Sequence, residues 1–231
     1  MMSARRGTKS NTESVDNYLK AILALGGAES EARRVTSTSL AERLQVAPAS
    51  ITNMLQKLAA APEPLVEYER HRGVKLSPSG RRRALEVLRH HRLIETFLYK
   101  ILDYPIEEVH EEAERLEHFI SERFEERIAA KLGNPKIDPH GHFIPTMEGK
   151  MPRQASIPLT EVVKGGTFTI DSVADRDART LRLLEAAGIK AGARLKVKPR
   201  TASQGYSVSI GRSSKALDLS REVAGEIRII P

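Results

Sequence analysis

The chain has 231 residues, enough for two or three small domains with cores of their own. Its 40% apolar and 29% charged content is that of a soluble globular protein. No apolar run nears the roughly 18 residues of a membrane span, and the lack of cysteine excludes disulfides, thiolate metal sites and a thiol nucleophile. The net charge of +7 and a pI near 9.7 point to a polyanionic partner. The polar, basic N-terminus has no apolar centre of a secretory signal, so the expected location is the cytoplasm.

Residues 1–11, basic and rich in Ser, Thr and Asn, read as a disordered tail. A helix is expected from Thr12 or Ser14, either of which can cap it. It buries Val15, Leu19, Ile22 and Leu23 and stops at Gly26 and Gly27. The segment VTSTSLAERLQVAPASITNMLQKLAAA predicts two short amphipathic helices. The first runs from about Ser37 to Leu44 with Leu40, Ala41 and Leu44 inward; the second, about Ala49 to Ala60, turns in Ile51, Leu55 and Leu58. Gln45 to Pro48 join them, the connection length of a helix-turn-helix, with Pro48 where a missing N–H costs least.

PLVEYERHRGVKLSPSG follows as two strand-like runs about Arg70 to Gly73, and Gly73 can take the positive φ of a tight turn. Helix, helix-turn-helix and hairpin, in that order, make a winged-helix DNA-binding domain. Positive charge at Arg70, His71, Arg72 and Lys75 favours this over a small α+β packing module. The helix beginning near Ala49 should enter the major groove, with Ala49, Ser50 and Asn53 at base edges and Asn53 pairing with adenine. Thr36, Thr38, Ser39, Thr52 and Lys57 suit phosphates, and Arg70 and Arg72 would reach the backbone or minor groove. Plain surface solubility is the competing reading for each of these residues.

Ser77 or Ser79 opens a long helix carrying Leu85, Leu88, Ile94, Leu98 and Leu102, broken at Tyr104 and Pro105. A helix with Val109, Leu116, Phe119 and Ile120 on its apolar side follows, then one from about Ser121 to Leu132 that stops at Gly133. Helices too few to close a core alone commonly pair across a two-fold axis, so a homodimer is expected. His91 and Glu95 are four apart and share a helix face; His110, Glu114, Glu117 and His118 form a second stripe. A carboxylate and imidazole set without thiols suits Mn(II), Fe(II) or Zn(II). A solvated acidic face, as at Glu107, Glu108, Glu111 and Glu112, is the bland alternative. A helical di-metal carboxylate enzyme is another, but the pattern Glu-x-x-Glu-His has no second copy here. Residues 134–156 read as linker, His140 and His142 having no evident role. Short β-branched runs then surround one helical stretch at Ala178 to Ala187 ended by Gly188, as in a small antiparallel barrel.

YLKAILAL, SLAERLQVAPASITNMLQKL, RGVKLSPSG, RHHRLIETFL and VHEEAERLEH, in that order, resemble the DtxR/MntR-type metal-dependent transcriptional regulators. DPHGHFIP resembles that family's linker turn, the tail looks like its FeoA-type domain, and the resemblance covers nearly the whole chain. It implies a mainly α fold with a small β part: a winged helix-turn-helix at 1–76, a helical metal-binding and dimerisation domain at 77–140, a linker at 141–155, and an SH3-like FeoA-type β-barrel at 156–231. It also implies a primary metal site matching Glu114, Glu117 and His118 and a second matching His91, Glu95 and His110. Glu114 stands where iron-sensing relatives carry cysteine, so the set resembles the manganese-sensing branch. Mn(II) is then the first expectation and Fe(II) the second, with Zn(II) or Co(II) as surrogates. The first-helix ligand position is Asn17, near Asp16 and Glu13. Lys20 stands where the manganese branch has Glu, which argues against a binuclear site like theirs. Asp175 and Asp177 are candidate ligands from the barrel. The implied function is a metal(II)-dependent repressor of metal-uptake genes, homodimeric on a palindromic double-stranded operator. A winged-helix regulator with a non-metal effector shares the DNA prediction and differs in what switches it.

Overall fold

A computed structural model describes residues 5–27, 33–152, 155–175, 177–198, 205–211 and 216–231. It divides into two compact units.

The first unit holds residues 1–90, 117–119 and 145–151. Its first helix, α1 (Arg5–Gly26), begins well before the expected Thr12, so part of the predicted tail is helical. The polar segment extends a helix already nucleated by its buried stripe, and extension is far cheaper than nucleation. Residues 1–4 of that tail lie outside the described residues. Val15, Tyr18, Leu19 and Ile22 are buried at helical spacing.

The helices α2 (Ser37–Leu44) and α3 (Pro48–Ala59) match the expected helix-turn-helix. Thr36 caps α2, its Oγ1 accepting from Ser39 N at 3.1 Å, and Gln45 ends it in the left-handed region. The wing pairs β1 (Val66–Glu69) with β2 (Gly73–Leu76) antiparallel, Glu69 opposite Gly73, and Gly73 has φ +92°. Val35 adds a third strand position by exchanging two main-chain hydrogen bonds with Val74, at 2.7 and 2.9 Å. A single bridging residue has no alternation to betray it in a sequence.

Ser77 opens α4 (Pro78–Ile101) by accepting from Gly80 N at 3.0 Å while donating to Pro64 O at 2.6 Å. A Cβ on Gly80 would lie 1.8 Å from Leu65 O, so only glycine lets the wing strand lie against the start of α4. Leu19, Leu40, Ile51, Leu55, Val74 and Leu85 form the centre of the core.

The second unit holds residues 91–116, 120–144 and 152–231. After α4, Asp103 (φ 55°) and Pro105 separate it from α5 (Ile106–Leu116). The helix α6 (Glu122–Lys131) is capped by Ser121, and Gly133 follows it at φ +75°. Here α5 ends at Leu116, so Glu117 and His118 lie in the turn after it rather than on the single stripe the spacing suggested. Two small apolar groups hold these helices: Leu93 with Ile128, Ala129 and Ile144, and Ile94 with Leu98, Val109 and Ala113. Ile101, Leu102, Leu116 and Phe124 remain exposed in this unit.

Residues 134–144 have irregular backbone, yet they are fixed in place. Ile137 and Phe143 bridge, and Asp138 Oδ1 accepts from the N–H of both His140 and His142 at 2.9 Å. The sheet comprises β3 (Ile157–Pro158), β4 (Gly166–Val173), β5 (Arg194–Val197), β6 (Tyr206–Ile210), β7 (Leu217–Leu219) and β8 (Ile227–Ile230). Its order is β3-β8-β4-β5-β6-β7, antiparallel throughout, with a register shift between Ile170 and Ser172. The helix α7 (Ala178–Ala186) matches expectation; β7 and α8 (Arg221–Gly225) were too short to show a period. Among the described residues no helix is long and apolar enough to cross a membrane.

Substituting Gly80→Ala should destabilise the first unit by roughly 2–3 kcal/mol, since backbone rather than a side chain must yield. Denaturant unfolding monitored by circular dichroism reads this loss.

Candidate metal centre and nucleic-acid interface

The chemistry of the second unit gathers around Glu95, which has no exposed surface. His91, one turn earlier on α4, brings Nε2 to 2.9 Å from Glu95 Oε1. His110 on α5 brings Nδ1 to 3.2 Å from the same oxygen and 3.1 Å from His91 Nε2. The two rings meet edge to face with centroids 4.9 Å apart. His140, also without appreciable exposure, places Nε2 3.8 Å from Glu95 Oε1. Asp175, just beyond β4, lies 3.9 Å from His110 Nδ1 and 3.7 Å from His142 Nδ1. Glu114 reaches within 3.9 Å of His91 Nδ1.

The loop that carries His140 is clamped to β4. Val173 N donates to His140 O at 3.0 Å. Gly141, at φ +96°, packs so tightly that a Cβ would meet Asp171 O at 2.1 Å. His142 Nδ1 lies 3.3 Å from Asp138 Oδ2, and Arg92 Nε lies 3.5 Å from that oxygen.

Burial by itself would push the Glu95 carboxyl up. The charge of His91, hydrogen bonds from His110 and His91, and the charge of His140 instead hold it well below the usual carboxylate range. For Asp175 burial again opposes ionisation; the charges of His142, His110 and His140 lower it overall, against repulsion from Glu95. Burial depresses the His142 imidazole, but the Asp138 charge and hydrogen bond, with Asp175, raise it overall.

Polar atoms here are left over. Glu95 Oε2 and both ring nitrogens of His140 are buried without a hydrogen-bond partner. Such atoms cost free energy unless something fills the gap. One ligand atom each from Glu95, His110 and Asp175 lies within 4.8 Å of the others, as do those of His91, His110 and Glu114.

A second constellation lies in the first unit. His118 Nε2 sits 3.1 Å from Asn17 Oδ1 and 3.3 Å from Glu117 Oε1, and its Nδ1 3.5 Å from Asp16 Oδ2. Glu117 is 1% exposed, and Lys20 Nζ donates to both its oxygens at 2.6 and 2.7 Å. His90 Nδ1 lies 3.2 Å from Glu117 O. Arg83 Nε donates to Asp16 Oδ1 at 2.6 Å. Burial works against the Asp16 charge, but His118 and Arg83 keep its carboxyl below the ordinary range.

Of the sequence-predicted ligands, His91, Glu95 and His110 therefore come together, with Glu114 against His91, and Asn17, Glu117 and His118 meet in the first unit. Asp175 joins the Glu95 group. Asp177 does not: its carboxylate caps α7 by accepting from Arg179 N and Thr180 N. Asp138, His140 and His142 were missed as site residues. Three ligand-type side chains within one Pro/Gly turn were the available signal.

On the opposite task, Ala49, Ser50, Asn53 and Lys57 are exposed on α3, facing away from Ile51, Leu55 and Leu58. Gln56, not singled out from the sequence, lies on the same stripe as Ala49 and Asn53. Thr52 is half-buried and donates to Pro48 O at 3.2 Å, and Thr36 and Ser39 share the α2 cap, their hydroxyls 2.8 Å apart. Thr38, Arg70 and Arg72 are exposed, Arg72 reaching Glu69 Oε2 at 3.2 Å.

Three family descriptions match successive parts of the chain. Residues 11–74 match the N-terminal DNA-binding domain of iron-dependent repressors, 77–146 their metal-binding and dimerisation domain, and 157–231 the FeoA domain. A solved manganese-dependent transcriptional repressor in complex with manganese is 38% identical, with 94% of this chain and 99% of that one covered, at a TM-score of 0.84. The chain belongs to the iron- and manganese-dependent repressor family. It is a metal-responsive DNA-binding transcription regulator, and this family is one of repressors rather than enzymes. ScaR with bound Zn2+ is 32% identical, covering 94% and 98%, with a TM-score of 0.78. The iron-dependent repressor IdeR of Mycobacterium leprae (strain TN) is 27% identical over 230 residues, 94% of this chain and 96% of its own. The diphtheria toxin repressor of Corynebacterium diphtheriae is 26% identical over 231 residues, 96% and 98%.

The residues around Glu95 fit a divalent cation: the unpartnered Glu95 Oε2 and His140 Nε2, the latter 3.8 Å from Glu95 Oε1, are atoms such an ion would engage. Metal-free protein should show an acid-sensitive stability. Because Glu95 is held below its ordinary value of 4.5, its ionised form adds stability above that pH, lost as pH falls through the lowered value. Glu95→Gln should flatten this acid limb in chelator. It should also shrink the stabilisation from saturating Mn(II), about 2.7 kcal/mol for native protein at a hundredfold excess over Kd, read by thermal unfolding.

Proposed function

We propose that this regulator is a manganese-activated repressor of metal-uptake genes, with Fe(II) the next candidate and Zn(II) or Co(II) as surrogates. It acts in the cytoplasm as a homodimer on a palindromic operator. The observation that carries this reading is the buried Glu95 carboxylate, ringed by His91, His110 and His140, with an oxygen left unpartnered. The nitrogen and oxygen set, free of sulfur, suits a hard or borderline ion.

In the second unit His91, Glu95, His110, His140 and Asp175 would hold the ion, with Glu114 a further carboxylate. In the first unit Asn17, Glu117 and His118 would do so. A bound ion supplies fixed positive charge, which lets buried carboxylates and imidazoles converge instead of competing for one another's protons. The chain's own part in the second unit is to carry His91, Glu95, His110 and His140 on α4, α5 and the 138–142 loop, which bring them to one place. The metal-bound protein then selects, among the orientations open to a dimer, the one with recognition helices about one DNA turn apart. Exposed Ile101, Leu102, Leu116 and Phe124 supply apolar surface for the pairing of two copies.

For DNA, α3 would lie in the major groove, with Ala49, Ser50 and Asn53 at base edges. Lys57 and Thr38 would meet phosphates directly. Thr36, Ser39 and Thr52 do so while also tying the ends of α2 and α3. Arg70 and Arg72 would follow the backbone or minor groove.

The deciding experiment is DNA binding to a candidate promoter, titrated with Mn(II), Fe(II) and Zn(II) at fixed salt, since phosphate contacts make affinity steeply salt-dependent. Mn(II) should tighten binding and chelator should release it. Asn53→Ala should cost about 1–3 kcal/mol and relax specificity, whereas Lys57→Ala should weaken all sequences alike and reduce the salt slope by about 1. Equal affinity in chelator and in metal would sink the reading and turn attention to a non-metal effector.

A further inference from the structure

We propose that Lys20 is a built-in counter-cation for Glu117, a tethered ammonium that occupies the carboxylate in metal-free protein and must leave before a metal ion can bind there. The proposal rests on the metal-activated reading above and concerns how the first-unit group responds to metal.

The geometry is specific. Lys20 Nζ donates to both Glu117 oxygens at 2.6 and 2.7 Å, so the ammonium straddles the carboxylate where a cation would sit. The Glu117 side chain has no exposed surface and that of Lys20 is 14% exposed. A buried carboxylate without a counter-charge is costly, so metal-free protein needs this partner. Lys20 also stands among the other candidate ligands. It lies three residues after Asn17 on α1, the same helical face, and Asn17 Oδ1 is 3.1 Å from His118 Nε2. That nitrogen is itself 3.3 Å from Glu117 Oε1. The neighbouring carboxylate, Asp16, is engaged by Arg83 at 2.6 Å and does not replace Glu117.

An ammonium and a divalent ion cannot share one carboxylate at these distances, because like charges a few ångströms apart in a dry site repel strongly. The flexible lysine stem and its partial exposure give the ammonium a way out to water. Metal binding at Glu117 is therefore an exchange of cations. Its threshold is set by how tightly Lys20 holds the carboxylate.

The test uses the full chain: native protein, Lys20→Met, which keeps the apolar stem, and Glu117→Gln, which identifies the Glu117-dependent binding event by its loss. Mn(II) is titrated calorimetrically, its stoichiometry read by equilibrium dialysis, and thermal unfolding followed in chelator and in excess Mn(II). Lys20→Met should bind Mn(II) at the Glu117 event about tenfold more tightly. It should unfold at lower temperature than native in chelator and recover that loss in Mn(II). Unchanged affinity, with the same thermal loss in chelator and in metal, would make the pair a plain structural salt bridge and overturn the proposal. If native protein binds no divalent ion and its DNA affinity ignores metal, the underlying reading fails as well, an outcome separate from the one before.

Discussion

A carboxylate with no access to water, surrounded by imidazoles and with one oxygen unsatisfied, is the constraint on which this molecule turns. Taking a charge out of water is expensive, and protein interiors accept it only when the charge is compensated. Around Glu95 the compensation comes from three separated places in the chain: α4, α5 and the 138–142 loop. Each contributes a group that is itself poorly satisfied without the others. His140 is buried with both nitrogens unpartnered, and Asp175 feels both the attraction of the imidazoles and the repulsion of Glu95. The group is therefore responsive to whatever positive charge enters it.

The winged-helix unit handles the same problem with covalently attached cations. Asp16 is met by Arg83, and Glu117 by Lys20. Its buried acids are consequently neutralised before any ion arrives, and the unit keeps a well-packed core around Leu19, Leu40, Ile51 and Leu55. The two units thus show two answers to buried negative charge. One leaves a carboxylate oxygen of Glu95 unpartnered, and the other meets its buried carboxylates with Arg83 and Lys20.

Much of this was legible in the sequence wherever a local rule governs. The spacing of Leu40, Ile51, Leu55 and Leu58, with Pro48 at a helix start and Gly73 at a turn, led to the helix-turn-helix and wing nearly to the residue. His91 and Glu95 could be paired because helical periodicity puts them on one face, whereas the place of His110 beside them was implied by the family resemblance alone. What local rules do not reach is where irregular segments go. Asp138, His140 and His142 show no periodicity, and long-range contacts such as Gly141 against Asp171 and Val173 N to His140 O hold their loop so that His140 reaches Glu95. The end of α5 at Leu116 likewise defeated the stripe argument for Glu117 and His118.

By itself, the sequence determined the elements, the overall positive charge and the kinds of group available to bind metal and DNA, since periodicity, capping and turn chemistry act over a few residues. Tertiary structure alone decided which of those groups face one another. It made Asp175 a neighbour of His110 but Asp177 a helix cap, and it gave Glu117 to Lys20 across a separation of 97 residues. Charge compensation acts through space rather than along the chain, and burial sets its strength only once the fold has excluded water.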